Sequence, residues 1–266
     1  MKNPFTTSPL DEYSRNARLK PAFLTMLPLG ILATAFGLKF SVMLAAFSGP
    51  LATVGLTFLL GQIGRDFGKR KEPYLYSLWS GKPSVAKMRH ADTTLNVHTR
   101  DRYHEKAAQL LGIRMPTPIS EHDDPRAADK IYEAYSNLLL ERTRDKKQFP
   151  LIFQELTNYG FRRNLWGLKP IGLALTAFCL LFQVIWLLAG LPAHRLPSAA
   201  SISSLAITTP LLFCWIFLIN PHWVRIAADA YAERLLASSE MLTETTVMAA
   251  RNPSRRKSPV KKTVGL

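Results

Sequence analysis

Acidic residues are in short supply: 19 Asp and Glu face 34 Lys and Arg, a formal net charge of +15. None of those acids falls in residues 21–63 or 169–220. Proton relays and charged-substrate sites use ionisable groups at membrane depth, so this gap argues against an ion-coupled transporter. Cysteine is nearly absent. Cys179 and Cys214 both sit in apolar runs, which excludes a secreted disulfide framework and leaves no pair at zinc-ligand spacing. Catalytic and nucleotide motifs are missing as well: no HExxH, no GxSxG, no GxxxxGK[ST], no GxGxxG after a strand. The Ser80-Gly81-Lys82 triplet matches only the tail of a phosphate loop. Alternating strand patterns are scarce, and no cofactor is expected.

Long uncharged runs are what the chain does contain. Residues 171–190 and 198–220 carry no charge over 20 and 23 positions, each enough to cross about 30 Å of hydrocarbon as a helix. Residues 21–38 and 40–63 are interrupted only by Lys39 and read as two further spans joined by a tight turn. The expected fold is an all-α membrane protein with four transmembrane helices in two hairpins. A mainly helical cytosolic domain lies between the hairpins, and a C-terminal amphipathic helix follows them. The layout is a lead-in over 1–20, hairpin 21–63, cytosolic domain 64–168, hairpin 169–220, amphipathic helix 221–250 and a basic disordered tail 251–266.

Charge orients this layout. The block 65–169 holds 20 Lys and Arg against 13 Asp and Glu, whereas the two inter-span turns hold one cation each, Lys39 and Arg195. By the positive-inside rule both termini and the central block are cytoplasmic, with a bacterial inner membrane as the default location. FRRNLWGLKP, residues 161–170, sets Arg162, Arg163, Trp166 and Lys169 just ahead of the third span. Cations and an amphipathic indole there suit the headgroup layer. The cationic surplus is spread over three segments, so a nucleic-acid partner is disfavoured.

The second span carries a low-bulk face, Ala45, Ser48, Gly49, Ala52 and Thr53 with Thr57, of the kind that lets helix backbones approach closely in lipid. Pro50 removes one backbone donor within it. Beyond the spans, helices are expected over HTRDRYHEKAAQLLGI with Gly112 as C-cap, from Pro125 capped by Asp124, from Pro150, and from Pro221 capped by Asn220. RMPTPIS reads as a Pro-rich loop, and the lead-in and tail as loosely ordered. The tail is expected to attract anionic lipid headgroups.

One cluster invites a metal: His90, His98, Asp101 and His104. Imidazoles with a carboxylate suit zinc, manganese or iron, but on one helix ligands must sit three or four residues apart, so Asp101 with His104 or Glu105 qualifies while His98 and His104 point about 120° off a shared direction. Gln183, Thr208 and Thr209 are uncharged polar residues within the spans, more suited to helix-to-helix hydrogen bonding than to lining a pore. The leading functional expectation is a multi-pass membrane protein that acts by oligomeric assembly and partner binding through its cytosolic domain rather than by catalysis. Its partners would be the bilayer and either further copies of itself or another membrane-complex component. Two rival readings are a gated channel or membrane-permeabilising effector, and a membrane-tethered metal-dependent enzyme.

Overall fold

The computed structural model describes residues 11–36, 50–190 and 197–251. Among the described residues every regular element is helical. A helical turn Glu12–Ser14 and a wide π-type turn Arg15–Leu19 lead into α1 (Lys20–Ala35). Then follow α2 (Pro50–Arg70), α3 (Glu72–Leu78), α4 (Pro83–Ala86), α5 (Val97–Leu111) and α6 (Pro118–Asp123). The chain continues through α7 (Pro125–Arg142), α8 (Pro150–Gly167), α9 (Lys169–Gly190) and α10 (Ala199–Phe213). A π-type turn Cys214–Leu218 extends α10, and α11 (Pro221–Arg251) completes the chain.

Local chemistry accounts for most boundaries. Gly112 stops α5 in the left-handed conformation at φ 68°, where a β-carbon would be strained. Asp124 accepts from Ala127 N at 3.0 Å and Asn220 from Trp223 N at 2.9 Å, capping the helices that open with Pro125 and Pro221. Three boundaries differ from the sequence reading. RMPTPIS is only partly loop, because Thr117 and Ser120 form a reciprocal capping box that starts α6. Residues 12–19, expected as loosely ordered lead-in, are helical and packed, with Ala17 fully buried. Finally α2 runs through Gly64 and Gly68 to Arg70, beyond the expected span end at 63.

Among the described residues two helices are long and apolar enough to cross a membrane: Lys169–Gly190, with mean hydropathy 2.3, and Ala199–Leu218, with 1.8. At 1.5 Å per residue the first spans about 33 Å. α1 has 16 residues, and α2 carries Arg65, Asp66, Lys69 and Arg70, so the described parts of the first hairpin do not reach that standard. Lys39, Ala45, Ser48, Gly49, Arg195 and 252–266 lie outside the described residues, while Ala52 and Thr53 fall near the start of α2.

Contacts divide the chain into two compact units, Met1–Gly81 with Phe153–Tyr231, and Lys82–Ile152 with Ala232–Leu266. In the first, α1 packs on α2, α9 and α10, and α9 packs on α10. Apart from Leu32 and two prolines of α1, the residues buried there are small or polar: Ala22, Thr25 and Ala33 of α1, Gly172, Thr176, Cys179 and Gln183 of α9, and Ser201, Ser204 and Thr208 of α10. At one end of these helices sits an aromatic core that includes Leu75, Trp79, Tyr159, Trp166, Trp215 and Val224. In the second unit α7 packs against α4, α5 and α6, and buries Tyr132, Tyr135, Ser136 and Leu139.

Candidate functional site

The junction expected at 161–170 lies in the first unit, where α8 meets the π-type lead-in turn and α3. Pro21 has no N–H to give the Ala17 carbonyl four residues back, and Asn164 Nδ2 takes that carbonyl instead at 2.7 Å. Arg163, 7% exposed, pairs with Glu72 Oε1, which also accepts from the Tyr159 hydroxyl at 2.9 Å. Arg163 lies over the Tyr159 ring as well. Burial works against the Arg163 charge, but Glu72 and the Tyr159 and Tyr13 phenols outweigh it and hold the guanidinium protonated. Burial is also the main reason the Tyr159 phenol is pushed far above its ordinary value.

The other junction residues divide between interior and rim. Trp166 is 8% exposed, stacks on Tyr74 with the rings 7° from parallel, and carries the Lys71 ammonium 4.6 Å above it. Arg162 donates to Trp223 O at 2.9 Å while lying over that indole. Lys169 Nζ donates to the carbonyls of Ile216 and Ile219 at 2.9 and 2.8 Å, satisfying acceptors that the end of the π-type turn leaves free. Burial first, then the nearby Lys169 charge, lowers the Lys71 pKa.

Glycines that the sequence reading did not single out set the spacing. A β-carbon on Gly167 would meet Gly68 N at 2.6 Å and Gly64 O at 2.9 Å, so α8 and α2 touch backbone to backbone. The Gly64-x-x-x-Gly68 spacing was the available signal, but it lies among charges and not in an apolar run. Gly172 holds the Trp215 ring, whose atoms would stand 2.4 to 2.5 Å from an added β-carbon. Further along, Gln183 Nε2 donates to Thr208 Oγ1 at 3.2 Å, and Thr208 donates to Ser204 O at 2.8 Å. That is the helix-to-helix role the sequence suggests for Gln183 and Thr208.

The histidine cluster lies in the second unit. His90 and His104 come together edge to face, ring centroids 4.7 Å apart, while His98 and Asp101 are exposed. Each paired ring turns Nε2 to a main-chain carbonyl, His90 to Pro116 at 3.0 Å and His104 to Met88 at 2.7 Å. A neutral imidazole donates in that position, so those nitrogens are occupied by protons. Among the described residues no three His, Cys, Asp or Glu side chains converge as a metal would require.

What this cluster does hold is chain. Arg100 Nη1 bonds the carbonyls of His90 and Asp92 at 2.8 and 2.9 Å. Glu121 accepts the His90 N–H and the Tyr132 hydroxyl, and Arg89 forms a two-pronged pair with Asp129. The irregular segment 88–92 is thereby fastened to α5, α6 and α7. Sequence reasoning picked out the histidines but not Arg100 and Glu121, which satisfy backbone groups away from water, or Tyr132, which donates to the Glu121 carboxylate.

This geometry defines a helical protein with two candidate membrane-spanning helices. No protein-family model matches the chain, nor does any curated protein or solved structure.

Proposed function

We propose that the chain is a four-span membrane protein of the bacterial inner membrane type, with both termini and the helical block 64–168 cytoplasmic, and that it acts by assembly and partner binding. The observation that carries the membrane reading is the distribution of polarity in the first unit. Mostly small and polar side chains face inward on α1, α9 and α10, and most large apolar ones face outward. Phe23 and Leu27 on α1, Leu56 and Leu59 on α2, Phe178, Leu181 and Ile185 on α9, and Ile202 and Ile207 on α10 are all exposed. In water that arrangement would leave a large apolar surface uncovered. In lipid it is the expected one, because association there relies on close backbone approach and interhelical hydrogen bonds.

Two features support contact over catalysis. Gln183 bonds Thr208 from helix to helix, and Arg163 at the foot of the unit is paired with Glu72. Both make a framework. The partners proposed are lipid and a second copy or another membrane component. Crosslinking of the full chain in native membranes should give a discrete larger species. A strictly monomeric, partnerless chain would refute assembly.

The channel reading keeps one observation in its favour. Gln183 Oε1 and Ser204 Oγ are buried without a partner among the described residues, the kind of group water would solvate along a path. Ion flux through liposomes carrying the inserted protein separates the readings. Flux sensitive to charge reversal at Arg162 and Arg163 supports a gated pore, and no flux supports the framework.

A further inference from the structure

We propose that Lys71 and Lys169, with the Trp166 and Tyr74 rings, form a binding site for the phosphodiester of an anionic phospholipid headgroup. The inference rests on the membrane reading above.

The cations of this region sort by what already occupies them. Arg163 is buried and committed to Glu72 and Asn164. Arg162 is engaged with Trp223. Lys71 is different: half-buried, its ammonium rests on the Trp166 face and makes no hydrogen bond or ion pair with a described residue. Its neighbour in sequence, Glu72, turns to Arg163 and Tyr159 instead. Lys169 spends two of its three N–H groups on carbonyls and has one left over.

No carboxylate among the described residues pairs with the Lys71 or the Lys169 ammonium, which rest on the Trp166 ring and on main-chain carbonyls. Each of these half-buried cations lacks an anion. Location chooses the anion. Lys169 opens the 22-residue apolar helix, the level at which headgroup phosphates lie when that helix spans a bilayer. Beside the cations, the stacked Trp166 and Tyr74 rings offer an amphipathic wall of the type favoured at that depth, with Tyr74 exposed.

The test titrates the full chain, purified in neutral detergent, with dioleoylphosphatidylglycerol, dioleoylphosphatidylcholine or inorganic phosphate, and reads bound lipid by native mass analysis. The phosphatidylglycerol is expected to bind in preference to phosphatidylcholine. Lys71→Gln should weaken it about fivefold, as expected for one cation at an anionic surface, and Lys71→Arg should restore it. Lys71→Met, which keeps an apolar stem over Trp166, serves as a second neutral variant, and an unchanged lipid-free melting curve verifies folding.

Phosphatidylglycerol binding that ignores Lys71, or that falls equally in Arg70→Gln, overturns the site. Full competition by inorganic phosphate overturns the lipid assignment in favour of a soluble phosphate ligand. A chain that fails to insert into phosphatidylcholine vesicles removes the membrane reading together with this inference. An inserted chain with Lys71-independent lipid preference removes the inference alone.

Discussion

Glu72 Oε1 accepts from both the Arg163 guanidinium and the Tyr159 hydroxyl, so one carboxylate oxygen fastens α3 to α8. Removing one member of a buried pair leaves the other charge without compensation, at a cost of roughly 3–5 kcal/mol. Arg163→Leu should fall toward the lower end of that range, because the Glu72 side chain retains 21% exposure and water can reach it. A chemical-denaturation midpoint measured in detergent checks this, and Glu72→Gln combined with Arg163→Leu should recover part of the loss. His104 makes a second prediction at this scale. Burial is the main cause that lowers its pKa from the ordinary 6.5, reinforced by the His90 and Arg100 charges and opposed by the Met88 carbonyl and Asp101. Since the folded state then binds fewer protons than the unfolded one, its contribution to stability is complete above about pH 6.5 and is lost as pH falls through the lower folded value. Hydrogen exchange of residues 88–92 should accelerate over that window. His104→Gln, which keeps an N–H for Met88 O and does not titrate, should flatten the response; an unchanged slope would assign it to another group.

Between elements, the controlling contacts are made where side chains are missing. Gly167→Ala would put a carbon 2.6 Å from Gly68 N, against backbone that cannot swing aside. α8 and α2 must separate, and a loss of about 1–3 kcal/mol is expected, as for other overpacked sites. Gly172→Ala meets the Trp215 ring at 2.4 Å. A lowered melting temperature with a red shift in tryptophan emission would report that the indole has been pushed from its seat, whereas wild-type behaviour would mean that α9 and α10 slide without cost. Helix starts and stops at this scale were readable in advance, because Gly112, Asp124-Pro125 and Asn220-Pro221 act through bonds to residues only a few positions away. The helical stripes were readable only in part: periodicity gives α7 an apolar stripe of Ile131, Tyr135, Leu138 and Leu139, of which Tyr135 and Leu139 are buried, but so are Tyr132 and Ser136 outside it. Both of those find polar partners, Tyr132 on Glu121 and Ser136 on Ser84 at 2.6 Å, which a purely apolar periodicity does not reveal.

For the whole molecule, the prediction concerns sidedness. Reporter fusions placed after residue 82 and after residue 251 should both read cytoplasmic in cells, since both termini and the central block are proposed on one side. Opposite readings would leave an odd number of spans and refute the two-hairpin arrangement. The sequence alone determined the helical class and the two apolar helices of the second half, because hydrocarbon thickness sets a length that a run of uncharged residues either meets or fails. It also set Arg162, Arg163 and Lys169 at or just ahead of the start of the first of those two helices. Only the tertiary structure decided what each of those cations bonds. Arg163 and Glu72 are 91 positions apart, and Asn164 reaches Ala17 across 147. Such pairings depend on which helix faces meet, and that is fixed by packing around Gly64, Gly68, Gly167 and Gly172, for which local spacing carries no partner information.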